Sequence, residues 1–475
     1  MIDIDRTIET FRLGTFDLDC TKMALRQRKD GGRRFVGRGY VRQLEDGFLI
    51  FKLYVEKKEN AGLPVIVEML TGGAAAALFG DDELYDLTAT SVDGTTWEAV
   101  RIADPRPRWD MQEDTGVLSG RLHFIVAGPV LPPAKPHLLR LHFFEEYELP
   151  LHLWSRAADG AVQDMVCDRA EFEACGMSFS VKSRLGSGDT IVEATADAEF
   201  PPAFDLRIQE AVQYITGKSA IWRARLETYQ GMFILELASP RPKAPHTQFK
   251  PPISRGSTEF HHHTWPLFEQ FLTYVIANTE AGGDGRRWNS VAYHLYIARE
   301  STYASIDAWA VGVSVAVEAL ASLVNLPINP DANGDWTDFR KRALEWLEKQ
   351  ADFSEGIKRR ARGLIGSSAD KGVKQTLREL AEIGHVDKRH AAAWDKLRNR
   401  HVHPKLADLR LPGSAEYRDL FRLLWQVEML LHQLTFHLIE YEGPYTDYSR
   451  EGLASQQYPL SEPKDAGGRT GPSSS

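Results

Sequence analysis

Cysteine is scarce in this chain of 475 residues: Cys20, Cys167 and Cys175 are the only three. Three cysteines cannot build a disulfide framework, and they fit a reducing compartment. Cys167 and Cys175 lack the C-x-x-C spacing of a zinc site, so buried thiols are expected. After Met1-Ile2-Asp3-Ile4-Asp5-Arg6 there is no basic stretch followed by an apolar run, and no secretory signal is read. Long hydrophobic runs are missing too. The most apolar stretch, Ala308 to Val324, is short for a membrane span and carries Glu318. It reads as a buried core helix, so no membrane partner and a cytoplasmic location are expected. The chain also lacks a Gly-x-Ser-x-Gly elbow, a P-loop and a zinc pattern, and no metal or cofactor is expected.

What is present changes character along the chain. The first half alternates as strands do. Asp46-Gly47 and Asp93-Gly94 each sit between apolar alternating segments (Gly39 to Leu44 with Phe48 to Val55, Leu87 to Val92 with Thr95 to Val100) and predict hairpins. Further strands are expected at Val117 to Val126, Leu138 to Phe144, Met177 to Ser183, Ile191 to Ala196, Trp222 to Thr228 and Met232 to Leu237, with one helix at Asp205 to Ile215. Short strands at this spacing predict a β-sandwich or two packed sheets. Between Pro240 and Pro252 five of thirteen positions are proline, which reads as a stiff linker.

Beyond it the period is helical. Helices are expected at Trp265 to Thr279, Trp288 to Glu300, Thr302 to Val324, Trp336 to Lys349, Glu355 to Leu364, Val373 to Ile383, Arg389 to His401 and Ser414 to Tyr441. The expected organisation is multidomain α+β: a β-rich region over 1–239 with a break near 150, a linker over 240–258, an all-α bundle over 259–446 and a disordered tail over 447–475.

Charge is uneven. The chain totals −9, yet Lys358 to Arg410 holds fourteen Lys or Arg against six Asp or Glu, leaving −17 for the remainder. A basic island in an acidic chain suits a polyanion. A solvated helical face would give the same run.

Inside the island the chain reads Leu397-Arg398-Asn399-Arg400-His401-Val402-His403-Pro404. RNA carries its own nucleophile, the 2′-hydroxyl. Cutting it requires a group that moves protons and a cation that holds the phosphate. Histidine, with a pKa of ~6.5, does the first, and the planar fork of arginine does the second. Pro404 disfavours helix at His403, so the helix should end near His401 or Val402 and let His403 curl back towards Arg398. A helix C-terminus decorated with cations has the same composition without any chemistry.

Arg398-Asn399-x-x-x-His403 resembles the R-N-x-x-x-H motif of HEPN ribonuclease domains. Other segments resemble the Apea-like branch of that group. Trp265 to Leu272 is similar to its leading helix, Ser314 to Leu320 to its buried helix carrying one acid, and Leu430 to Tyr445 to its last helix with an aromatic-glycine ending. The resemblance covers residues 259 to 446. It implies a dimerising helical bundle and metal-independent RNA cleavage that leaves a 2′,3′-cyclic phosphate and a 5′-hydroxyl. It also implies a toxin, abortive-infection or other antiviral role, with tRNA or other structured RNA as substrate. Some members lack activity and only bind.

On this basis His403 is the expected general base or acid, Arg398 the phosphate clamp and Asn399 the orienting residue, with Arg400, His401 and Glu318 in support. Both His401 and His403 are candidates for the working imidazole. For Glu318, which recurs at four-residue spacing with Ser314 and Ser322, two readings stand: it positions Arg398 or His403, or it lies on a solvent-facing stripe. The β-rich half would sense an unknown trigger, and the helices would make a homodimer. The alternatives are an RNA- or nucleotide-binding module without turnover, and a ligand-binding sandwich dimerised by its helices.

Other patterns carry less. His261-His262-His263 fan apart on a helix and read as a polar entry to the helical domain. Asp331-Ala332-Asn333-Gly334-Asp335 has glycine at the wrong place for a calcium loop, and reads as a turn with Asp335 capping the next helix. Gly186-Ser187-Gly188-Asp189 reads as a hairpin loop, and Gly282 to Arg287 as a flexible connection.

Overall fold

The computed structural model describes residues 2–62, 69, 80–103, 105–110, 112, 115–128, 137–155, 166–184, 188–229, 232–241, 249–279, 287–324, 330–367, 372–401 and 414–460. The chain divides into two compact units: Met1–Gln209 with Ala220–Lys243, and Glu210–Ser219 with Ala244–Glu280 and Arg287–Ser475. The first is built on a large antiparallel sheet and the second on helices, a mixed α+β architecture.

The first unit opens with α1 (Ile4–Arg12), whose N-cap Asp3 accepts from Arg6 N at 3.1 Å. Strands β1 (Asp17–Gln27), β2 (Arg34–Gln43), β3 (Leu49–Glu59), β4 (Tyr85–Ser91), β5 (Thr96–Ile102), β6 (Arg106–Asp110), β7 (Thr115–Leu122) and β8 (Phe124–Ala127) follow. Then come β9 (His137–Phe143), β10 (Leu153–Ser155), β11 (Val166–Ala174), β12 (Met177–Arg184), β13 (Asp189–Ala196), helix α2 (Phe204–Thr216), β14 (Ala224–Tyr229) and β15 (Met232–Ala238). Both Asp-Gly turns form, with Gly47 at φ +82° and Gly94 at φ +85°, values that favour glycine. They set the registers Val41↔Phe51 and Ala89↔Trp97.

The sheet differs from the two packed sheets expected. All fifteen strands join in one hydrogen-bonded order, because the segment anticipated as a single strand, Val117 to Val126, bends at His123. Its first half, β7, pairs with β3, and its second half, β8, pairs with β5. With β5–β4, β4–β1, β1–β2 and β2–β3 also paired, the strands return to their start and close a ring. Alternation along each strand sends Met23, Leu25, Phe51, Leu53, Leu87, Trp97 and Leu118 into one core. Strand β6 pairs with β7, and the other strands extend from β8 in the order β15, β14, β9, β13, β12, β11, β10. Cys20 lies in the core, where burial pushes its thiol up to about 11, and Cys175 is half-buried at the β11–β12 turn. The Cys167 side chain lies outside the described residues.

The second unit contains α3 (Phe260–Ala277), α4 (Ser290–Ala304), α5 (Ile306–Leu323), α6 (Pro330–Lys349), α7 (Glu355–Ser367), α8 (Val373–Glu382), α9 (Lys388–His401) and α10 (Ser414–Leu438). A hairpin of β16 (Gly443–Asp447) and β17 (Ala454–Tyr458) follows. Helix α5 is central and packs on α4, α9 and α10. Among the described residues it is the one helix long and apolar enough to cross a membrane, with a mean hydropathy of 1.6, and half of it is buried inside the protein.

Several boundaries move. Thr302 belongs to α4, because Ser305 turns extended at ψ 167° and its hydroxyl accepts from Ala308 N at 3.0 Å, starting α5. Helix α6 already runs at Pro330, so Asp335 is inside it instead of capping it, and no turn forms at Asn333-Gly334. The division between units falls at Lys243 and also within α2, after Gln209. Phe249 and Ile253, placed in a linker by their prolines, are core residues of the second unit. Residues 443–458, assigned partly to a tail, form the hairpin, with Tyr445 and Tyr458 buried. For these last two the physical reason is the same: aromatic and aliphatic side chains outweigh the polar composition around them. Residues 461–475, 280–286 and 185–187 lie outside the described residues.

Candidate functional site

Two helices carry the candidate site. On α9, Trp394, Arg398 and His401 are spaced by four and three residues and share one face. On α5, Asp307, Ser314 and Glu318 are spaced by seven and four and share another. These faces meet. The indole Nε1 of buried Trp394 donates to Ser314 O at 3.2 Å. Arg398 Nε donates to Glu318 Oε1, and its guanidinium lies 5.8 Å from the Trp394 ring centroid. His401 Nδ1 is 3.0 Å from Asp307 Oδ1.

Each placement bears on an open reading. Ser314 is fully buried, Glu318 half-buried and Ser322 exposed, so the four-residue polar spacing runs from the interior out to solvent. Glu318 pairs with Arg398, and a carboxylate and an aromatic face flank the guanidinium on two sides. Asn399 does not orient a histidine among the described residues. Its amide donates to Asp395 Oδ1 at 3.2 Å, on the exposed side of α9. The structure describes α9 as far as His401. His403, with Val402 and Pro404, lies outside the described residues.

His401 is better equipped than its supporting role suggests. Its side chain is 9% exposed, and its Nε2 is buried with no hydrogen-bond partner among the described residues. Burial lowers its pKa first, Asp307 raises it, and neighbouring Arg400 lowers it. The net direction favours a neutral ring, with Nδ1–H donated to Asp307 and a lone pair on Nε2. A carboxylate on Nδ1 and an unused Nε2 is the arrangement of an oriented proton-transfer group.

The basic island is partly neutralised within itself. Arg362 is held by Glu348 at 2.6 and 3.1 Å, Lys374 meets Asp395 at 2.6 Å, and Arg389 meets Asp387 at 2.5 Å. These pairs are mostly exposed, so each contributes little to stability and opens readily to a phosphate. A groove of about 480 Å³ between α8 and α9, lined by Lys374, Arg378, Lys388, Leu377 and Asp395, adjoins the Arg398 face through Trp394.

Sequence reading missed Asp307, Trp394 and Lys374. A signal for the first two existed in the heptad-like spacings on α5 and α9, but which helices meet is a tertiary fact. Among the described residues, no group of three or more His, Cys, Asp or Glu side chains could hold a metal ion. His261, His262 and His263 lie on α3, where His263 Nε2 meets Glu259 at 3.3 Å. No family model, no curated protein and no solved structure matches this chain.

Proposed function

We propose that the chain is a metal-independent endoribonuclease of the HEPN type, with its helical unit as the effector bundle. The observation that carries this reading is the Arg398–Glu318 and His401–Asp307 pairing of α9 on α5, which fixes a cation and an imidazole one turn apart. In the reaction, the 2′-oxygen of RNA attacks the adjacent phosphorus, the new P–O2′ bond forms and the P–O5′ bond breaks. One imidazole takes the proton of the 2′-hydroxyl, and a second acid delivers a proton to the leaving 5′-oxygen. Arg398 stabilises the charge that builds on the phosphoryl oxygens. His403 and His401 fill the two proton-transfer roles, within one chain or across a homodimer, and Asn399 and Arg400 border the scissile phosphate.

A toxin or antiviral-defence setting in the cytoplasm, with the β-rich unit controlling the helical one, follows from the same resemblance. The test is purified full-length chain with total RNA and chelator, comparing Arg398→Ala, His401→Ala and His403→Ala. Cleavage that survives EDTA and falls by ~10²–10⁴-fold in the variants supports the reading. One feature favours a second reading, an RNA-binding module without turnover: Arg398 and three island cations are already paired with carboxylates. Binding without cleavage in the same experiment selects it.

A further inference from the structure

The β-rich unit contains a concave site of its own. His137 opens β9 and is 3% exposed, yet neither ring nitrogen has a hydrogen-bond partner among the described residues. Burying an imidazole this way forfeits a donor and an acceptor together, a cost that proteins seldom leave unmet. His137 lines a cavity of about 220 Å³ together with Glu199, Phe200, Asp205, Arg225 and Glu227. Its ring stacks on Phe200 at 5.7 Å and 22°, and Phe200 stacks on Phe204 at 5.0 Å and 15°. Ala203, in the same lining, holds φ at +53°, a backbone region that a Cβ disfavours.

The lining chooses the charge of an occupant. Three carboxylates face the cavity against one guanidinium. That guanidinium is committed: Arg225 Nη2 meets Glu227 Oε2 at 2.5 Å, and Nη1 meets Glu236 Oε2 at 3.5 Å. Glu199 is exposed at the rim and makes no ion pair among the described residues. An anion would meet the Glu199 carboxylate and the Glu227 carboxylate, which shares one guanidinium with Glu236, whereas a cation would meet carboxylates and near-parallel aromatic rings. The donor set does not suit a metal ion, since no group of three or more His, Cys, Asp or Glu among the described residues is arranged for one. The cavity is also smaller than the ~300 Å³ at which ligand pockets usually begin, so the occupant is small.

We propose that this cavity binds a small organic cation, an ammonium or guanidinium compound, with His137 accepting a hydrogen bond from it and Glu199 and Glu227 balancing its charge. The site stands apart from the ribonuclease reading and survives if that reading fails. It gives the β-rich unit a ligand class, where the sequence offers only an unknown trigger.

The test uses the full chain with agmatine, putrescine and guanidinium as probes, read by titration calorimetry and thermal unfolding. At least one probe should bind saturably and raise the unfolding temperature. His137→Phe and Glu199→Gln should each weaken it by about tenfold or more, the usual effect of losing one charge-assisted hydrogen bond. Glu199 is exposed, so its variant keeps the fold even if His137→Phe does not. No heat and no thermal shift with any probe up to about 10 mM would overturn the proposal, because such a ligand would then contribute no linkage stabilisation. Unchanged affinity in Glu199→Gln and in folded His137→Phe would overturn it too, and so would acetate binding as well as the cations.

Discussion

Replacing Glu428 by glutamine should abolish the loss of stability that the helical unit shows above about pH 6.5. Glu428 and His432 stand one turn apart on α10, and both are fully buried. They grip one residue of the segment that enters the unit: Lys250 N donates to Glu428 Oε1, and His432 Nε2 donates to Lys250 O at 3.1 Å. Burial pushes the Glu428 carboxyl up to about 8 from 4.5 and the His432 imidazole down to about 4 from 6.5. The raised carboxyl contributes stability that is complete below pH 4.5 and is lost as pH rises to about 8. The depressed imidazole contributes stability that is complete above pH 6.5 and is lost as pH falls to about 4.

Each slope is about 1.4 kcal/mol per pH unit. Between pH 4.5 and 6.5 the two oppose and cancel, and above 6.5 Glu428 acts alone. The wild-type chain should therefore lose about 4 kcal/mol relative to Glu428→Gln between about pH 5 and pH 8. Glutamine still offers Lys250 N an acceptor but cannot ionise. Urea unfolding of both proteins across this range, followed by a probe in the helical unit, measures the difference. Parallel pH profiles would refute the buried, neutral carboxyl and the argument built on it.

The remaining predictions concern the candidate site. Glu318→Ala should cost about 1 kcal/mol or less in stability, because both partners are partly exposed, yet slow RNA cleavage by roughly 10–100-fold as Arg398 loses its direction; equal rates would remove Glu318 from the site. Asp307→Asn should move the NMR titration of His401 to lower pH, since Asp307 raises that pKa against burial, and an unmoved titration would break the pair. In solution the mass should be twice 53.5 kDa, with Val311→Glu or Val315→Asp on the exposed side of α5 giving monomers. Mixed Arg398→Ala and His403→Ala subunits should then recover activity, whereas a monomer cutting at full rate would dismiss the dimer.

Local chemistry was the readable part of this chain. The Asp46-Gly47 and Asp93-Gly94 turns and the alternation of β3 each depend on neighbours in sequence, and each formed where expected. Closure of the strand ring was not readable, because it depends on a bend at His123 between two ordinary strand segments. The placing of Phe249 and Ile253 in a core was hidden by the prolines around them, and β17 by a polar stretch ending in Tyr458. Within the site, a pairing of Glu318 with Arg398 was one of the readings left open, because spacing on one helix does not say which partner meets it. The His401–Asp307 pair was not among them, since Asp307 is an exposed first-turn acid that composition explains equally well as a response to the helix dipole.

The most direct measurement is the chemistry of the RNA ends. Full-length chain is incubated with total RNA in excess EDTA, and the products are mapped for 2′,3′-cyclic phosphate and 5′-hydroxyl termini. The account predicts such ends in chelator, with both lost in Arg398→Ala and His403→Ala. Intact RNA, or cleavage that stops with EDTA and returns with magnesium, would contradict it.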